Sequence, residues 1–250
     1  MATTNKEQRR YEKQHVSSTD TVIALRPPLG WRSWNAFGPT VNQSLMEAIM
    51  EGMVHKRRPD HTGTYTALCN DLGYCNVGLD DNWQACDSPQ AAPGMHYHDT
   101  TGKSIVNLTS FPDLKAMTAH AHKLGLTAGW YHNNCICPDF CREKAECDAQ
   151  IRQDVSDILA YDFDAVKLDG CGGQLDIAHF DELLRQYQKP GKAPVEVENC
   201  QWGFNVPSSP NEPCPYAFYR TSGDIRPNYQ SVSHNLASVD KFHKQNLSRP

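Results

Sequence analysis

Ala165-Val166-Lys167-Leu168-Asp169-Gly170-Cys171 alternates apolar and ionisable residues and then breaks at a glycine, the pattern of a short strand that carries charge on one face up to its end. Similar runs recur on both sides of it. Leu29 to Trp34, Asn76 to Asp81, Leu126 to Tyr131, Val195 to Asn199 and Tyr216 to Arg220 also read as strands. Helix-period segments fill most of the gaps. The clearest starts at Ser110-Phe111-Pro112-Asp113, which offers an N-cap, a first-turn proline and an acidic capping partner, and it ends at Gly125. Ile151, Val155, Ile158 and Leu159 make one later apolar stripe, and Ile177, Phe180, Leu183, Leu184 and Tyr187 another. Strands alternating with helices imply a parallel sheet with right-handed crossovers, either doubly wound or closed into a (β/α)8 barrel. Polar groups gather at the strand ends: Trp34-Asn35, Asp80-Asp81, Tyr131-His132, Lys167 with Asp169, Asn199 with Gln201, Arg220 with Asp224. In a barrel these ends converge on one face, which favours the barrel. Only six strands are readable where a barrel needs eight, so the expected fold is an incomplete (β/α)8 TIM barrel.

The 250 residues suffice for one such domain. Residues 1–27 are charged and poor in apolar groups and are expected to be a flexible arm, leaving 28–250 as the partial barrel. With 24 basic and 29 acidic residues and no basic stripe, the chain is not expected to bind nucleic acid. No run approaches the roughly 20 apolar residues of a membrane span. Ten cysteines and sequons at Asn42, Asn107 and Asn246 point to an oxidising, glycosylating compartment, secreted or lysosome-like. The first 28 residues carry no apolar h-region, so either a leader lies outside this chain or the protein stays inside the cell.

Lys167 and Asp169 lie two apart on a strand and share a face, where the ammonium would hold the carboxylate ionised. Such a carboxylate can attack an anomeric carbon when a second carboxyl, here Asp224, stands about 5 to 5.5 Å away to protonate the leaving group. A purely structural ion pair has the same sequence pattern. Asp80-Asp81 with Trp83 suits sugar hydroxyls and an apolar sugar face, but equally a helix cap or a divalent metal. Cys135, Cys137, Cys141 and Cys147 beside His132 could be read as zinc ligands; their spacing is not that of a standard zinc motif, and disulfides are the preferred reading.

Taken together, LGWRSWN, GLDDNW, GLTAGWY, VKLDGC, ENCQW and FYRTSGD, in this order from Leu29 to Phe242, resemble the strands of glycoside hydrolase family 27, the α-galactosidases and α-N-acetylgalactosaminidases. The resemblance implies a retaining hydrolase of terminal α-D-galactosides that works through a glycosyl-aspartate and needs no metal or cofactor. Asp169 would be its nucleophile and Asp224 its acid/base. Trp34, Asp80, Asp81, Tyr131, Lys167 and Arg220 match galactose-binding positions, and Gln201 stands where many members carry Glu. Cys171 would pair with Cys135 or Cys137, and Cys200 with Cys214. α-N-acetylgalactosaminidase and β-L-arabinopyranosidase activities belong to the same family, and a homodimer is compatible with it. The alternatives are a catalytically impaired truncated fragment and a sugar-binding pseudo-enzyme of the same family.

Overall fold

The computed structural model describes residues 28–204 and 214–240. The expected N-terminal arm and the Asn246 sequon lie outside them. In chain order come β1 (Gly30–Arg32), α1 (Trp34–Phe37), α2 (Gln43–Val54), the strands β2 (Arg58–Pro59) and β3 (Tyr65–Thr66), β4 (Asn76–Gly78), α3 (Leu114–Lys123) and β5 (Thr127–His132). There follow α4 (Lys144–Ala160), β6 (Ala165–Asp169), α5 (Ile177–Tyr187), β7 (Glu196–Cys200), β8 (Phe218–Tyr219) and α6 (Tyr229–Ala237). Six strands form one parallel sheet in the order β1-β4-β5-β6-β7-β8, and β2 with β3 makes a separate antiparallel hairpin.

The helix-facing side of the sheet is apolar. Val77, Leu79, Ala128, Trp130, Val166, Leu168 and Val197 bury against Met46, Met50 and Met53 of α2, Met117 and Ala121 of α3, Ile151, Val155 and Ile158 of α4, and Phe180 and Leu183 of α5. The intervening residues, Gly78, Tyr131, Lys167, Asp169, Glu198 and Cys200, therefore point to the other face, as period two requires.

That other face is concave. Arg32 on β1 donates from Nη2 to Glu198 Oε2 on β7 at 2.7 Å, although the two strands are four steps apart in the sheet. A flat sheet would hold them about 19 Å apart, beyond the combined reach of the two side chains. The sheet must curl for them to meet. The result is a half-barrel of six parallel strands matching an incomplete (β/α)8 barrel, with β1 and β8 at its edges among the described residues.

Several expected boundaries shift. Trp34 opens α1 instead of ending β1, because Ser33 turns the chain there, its N–H reaching Gly78 O and its Oγ accepting from Asp80 N. The helix expected from Ser110 begins at Leu114: Asp113 Oδ1 accepts from Ala116 N, and Gln43 holds the preceding turn through Ser110 O and Asp113 N. Asn42 is the N-cap of α2, its Oδ1 accepting from Leu45 N.

Candidate active site

The carboxyl ends of the strands open on a cleft of about 700 Å³. Its walls include Trp34, Arg32, Asp80, Lys167, Glu198, Cys200, Arg220 and Asp224. Three cations, Arg32, Lys167 and Arg220, face three anions, Asp80, Glu198 and Asp224. The lining is thus charge-balanced.

Lys167 is buried and donates from Nζ to Asp80 Oδ2 at 2.9 Å, with Asp169 Oδ2 at 3.8 Å. Burial works against its charge, but Asp80, Cys200 and Glu198 together outweigh it and hold the ammonium above its ordinary pKa. Asp169 ends β6 and is 4% exposed. Its Oδ2 accepts from Tyr131 Oη at 2.7 Å and its Oδ1 from Gly170 N at 2.7 Å. Burial and the surrounding carboxylates push the Tyr131 phenol up, so it stays a protonated donor. Arg220 binds Asp224 Oδ1 from Nη2 at 2.9 Å and Cys200 Sγ from Nη1 at 3.1 Å, while Asp224 remains about half exposed.

Not every expected residue faces the cleft. Asp81 is buried and accepts from Asn82 N, Gln84 Nε2, Asn134 Nδ2, Cys135 N and Ile136 N at 2.8 to 3.1 Å. Its oxygens are committed to the loop after β5. Gln201 is buried behind β7, with Nε2 directed to Leu175 O at 3.4 Å. Tyr131 and Asp169 are buried and do not line the cleft. Two cleft residues escaped sequence reasoning, Arg32 and Glu198; an Arg and a Glu at inward positions of short strands were the available signal.

Disulfides pin the loop after β5. Cys135 is bridged to Cys171, Cys137 to Cys86, Cys141 to Cys147, and Cys69 to Cys75. The Cys200–Cys214 bridge implied by the resemblance is not formed. Both thiols are buried and free, Cys200 Sγ facing Arg220 and Cys214 Sγ facing Tyr216 O at 3.5 Å. Burial pushes the Cys200 thiol up to about 12. Among the described residues, one trio of metal-ligating types comes together, Cys135, Asp169 and Cys171, and its two sulfurs are bonded to each other. Bridged sulfurs make poor metal ligands, since binding needs thiolates. Breaking the Cys135–Cys171 bridge by serine substitution is expected to cost about 2 to 4 kcal/mol through loop-closure entropy; thermal melts of the double variant read the loss.

No protein-family model matches the chain. Over 220 residues it is 28% identical to an α-galactosidase of Cyamopsis tetragonoloba, covering 84% of this chain and 46% of that one. A probable α-galactosidase of Dictyostelium discoideum is 26% identical over 88% of this chain and 51% of its own. The chain spans about half the length of the curated relatives it matches. Among solved structures, a family 27 β-L-arabinopyranosidase from Geobacillus stearothermophilus superposes with a TM-score of 0.59 at 15% identity, covering 88% of this chain and 58% of that one. An α-galactosidase from Saccharomyces cerevisiae gives 0.53 at 17% identity over 81% and 41%. In sequence and in fold the chain therefore resembles the α-galactosidases of glycoside hydrolase family 27.

Proposed function

We propose that residues 28–250 carry the catalytic centre of a retaining glycoside hydrolase acting on terminal α-D-galactosides. The observation that supports it most is the setting of Asp169: a buried carboxylate fixed by Tyr131 Oη and Gly170 N, beside Lys167, which itself lines an open, charge-balanced cleft. A neutral, hydroxyl-rich ligand suits such a lining better than an ion. Asp80 and Lys167 would hold sugar hydroxyls, Trp34 the apolar sugar face, and Arg220 would orient Asp224.

In the first step an Asp169 oxygen bonds to the anomeric carbon as the glycosidic bond breaks, and Asp224 gives its proton to the departing oxygen. In the second, Asp224 takes a proton from water, whose oxygen displaces Asp169 and frees the sugar with its configuration kept. The four disulfides support maturation in an oxidising, secretory or lysosome-like compartment. Among the described residues no helix is long and apolar enough to cross a membrane.

The test is proton NMR of the sugar first released from an aryl α-galactoside. Early α-galactose is the expected result. Early β-galactose would overturn retention, and galactose binding without turnover would favour a sugar-binding protein without catalysis. The pairing of Asp224 with Arg220 gives that second reading its footing, since an acid/base must be free to exchange its proton.

A further inference from the structure

The concave face of a (β/α)8 barrel is normally filled by branched apolar side chains in layers. Here one layer is ionic. Lys167 on β6 and Glu198 on β7 are register partners, and Arg32 on β1 is the register partner of Gly78 on β4. Gly78 leaves the space across which Arg32 reaches: a Cβ there would come within 3.0 Å of the guanidinium carbon. The charges alternate in sign along one line. Glu198 contacts Arg32 at 2.7 Å, Arg32 approaches Asp80 at 3.8 Å, Asp80 holds Lys167 at 2.9 Å, and Lys167 stands 3.8 Å from Asp169.

We propose that Arg32 and Glu198 are positioning residues, an ion pair that sets where Asp80 and Lys167 stand and through them the surroundings of Asp169. The inference rests on the hydrolase reading for its effect on turnover, but not for its structural content. Arg32 shares Asp80 with Lys167, and Glu198 limits how strongly it does so. Without the Glu198 charge, Arg32 has no counter-ion besides Asp80 and closes on it at the expense of Lys167. Without the Arg32 charge, Glu198 is left unpaired beside its register partner Lys167 and draws the ammonium away from Asp80 and Asp169. The two losses displace Lys167 by opposite routes, and removing both charges together leaves the row balanced. Arg32 Nη1 is buried and has no hydrogen-bond partner, so the guanidinium retains a donor with which to make this shift.

The other charged and titratable groups around this row are Asp81 after β4, Tyr131 on β5, Cys200 on β7, and Arg220 with Asp224 after β8. Among the described residues none of them makes an ion pair or hydrogen bond with Glu198.

The experiment compares the wild-type chain with Glu198→Gln, Arg32→Gln and the double variant, by steady-state hydrolysis of an aryl α-galactoside and by crystal structures. Each single change is expected to lower kcat at least tenfold, and more than it alters KM. The double variant should return to within about threefold of wild type. In the Glu198→Gln structure Arg32 should move from 3.8 Å to hydrogen-bonding distance of Asp80, and in Arg32→Gln the Lys167–Asp80 contact should open. Single variants with wild-type kcat, or a double variant no better than the worse single one, would overturn the proposal. A wild-type chain without turnover would sink the hydrolase reading alone. The structures then decide: displaced Arg32 and Lys167 uphold positioning, and unchanged contacts reject it.

Discussion

Replacing Asp169 by Asn is expected to lower kcat/KM on an aryl α-galactoside by on the order of 10⁴ or more, the scale of removing a catalytic nucleophile. The substitution is nearly isosteric and its surroundings can accept it. The amide oxygen can keep the bond from Gly170 N, and the amide nitrogen can donate to Tyr131 Oη, whose hydroxyl also accepts. Lys167 keeps its 2.9 Å contact with Asp80, so no buried cation is abandoned. Folding should change little while chemistry stops, because an amide cannot form the glycosyl ester. Melting temperature and galactose binding should therefore stay near wild type. Turnover within tenfold of wild type would remove Asp169 as nucleophile, and equal loss of stability and activity would make it a structural residue.

The fold was largely legible because its signals are local. Val166 and Leu168 against Lys167 and Asp169 show both faces of β6 within five residues, and the stripes of α4 and α5 show their buried sides as directly. Boundaries were less legible: Asp113 displaces Ser110 as the cap because Gln43, some 70 residues away, ties down the intervening turn. Site residues on single strands could be named, but their orientation could not. The paired aspartates look equivalent in sequence, yet Asp80 faces Lys167 and the cleft while Asp81 receives the backbone of the loop after β5. Arg32 and Glu198 were missed because their meaning arises only when the sheet curls. Cys200 and Cys214 show the reverse risk, since a pairing suggested by resemblance is not made when each sulfur faces another partner.

A second large effect is expected at Asp154, in a polar cluster that no local motif announced. Asp154 on α4 lies at 3.4 Å from His98 Nε2 and 3.2 Å from His132 Nδ1, accepts from Gln174 Nε2 at 2.7 Å, and receives the Ser104 hydroxyl. Asp139 holds His98 Nδ1 from the other side at 2.9 Å and also takes the backbone N–H groups of Tyr97 and His98. All these side chains are buried, so the cluster welds the segment around residues 96–104 to the loop after β5 and to α4. Burial alone would raise the Asp154 carboxyl, but His132 and His98 outweigh it and hold it far below the usual carboxylate range. Burial likewise opposes charge on His98, yet Asp154 and Asp139 raise it from 6.5 to about 9. The depressed carboxyl contributes stability above its unfolded pKa near 4 that is lost on acidification. The raised imidazole contributes stability fully present below pH 6.5 and lost as pH rises through about 9. Asp154→Ala strips a buried cation of one of its two carboxylates and removes the acceptor that Gln174 Nε2 and the Ser104 hydroxyl use. A loss of about 3 to 5 kcal/mol follows for breaking a buried pair, or about 6 to 20 °C in Tm for a chain of this size. Melts from pH 4 to 9.5 should show the variant's stability falling less steeply above pH 6.5 than the wild type's, because His98 there gains less from folding. A Tm loss under about 3 °C, or an unchanged alkaline slope, would mean that the charges on Asp154 and His98 do not hold this cluster together.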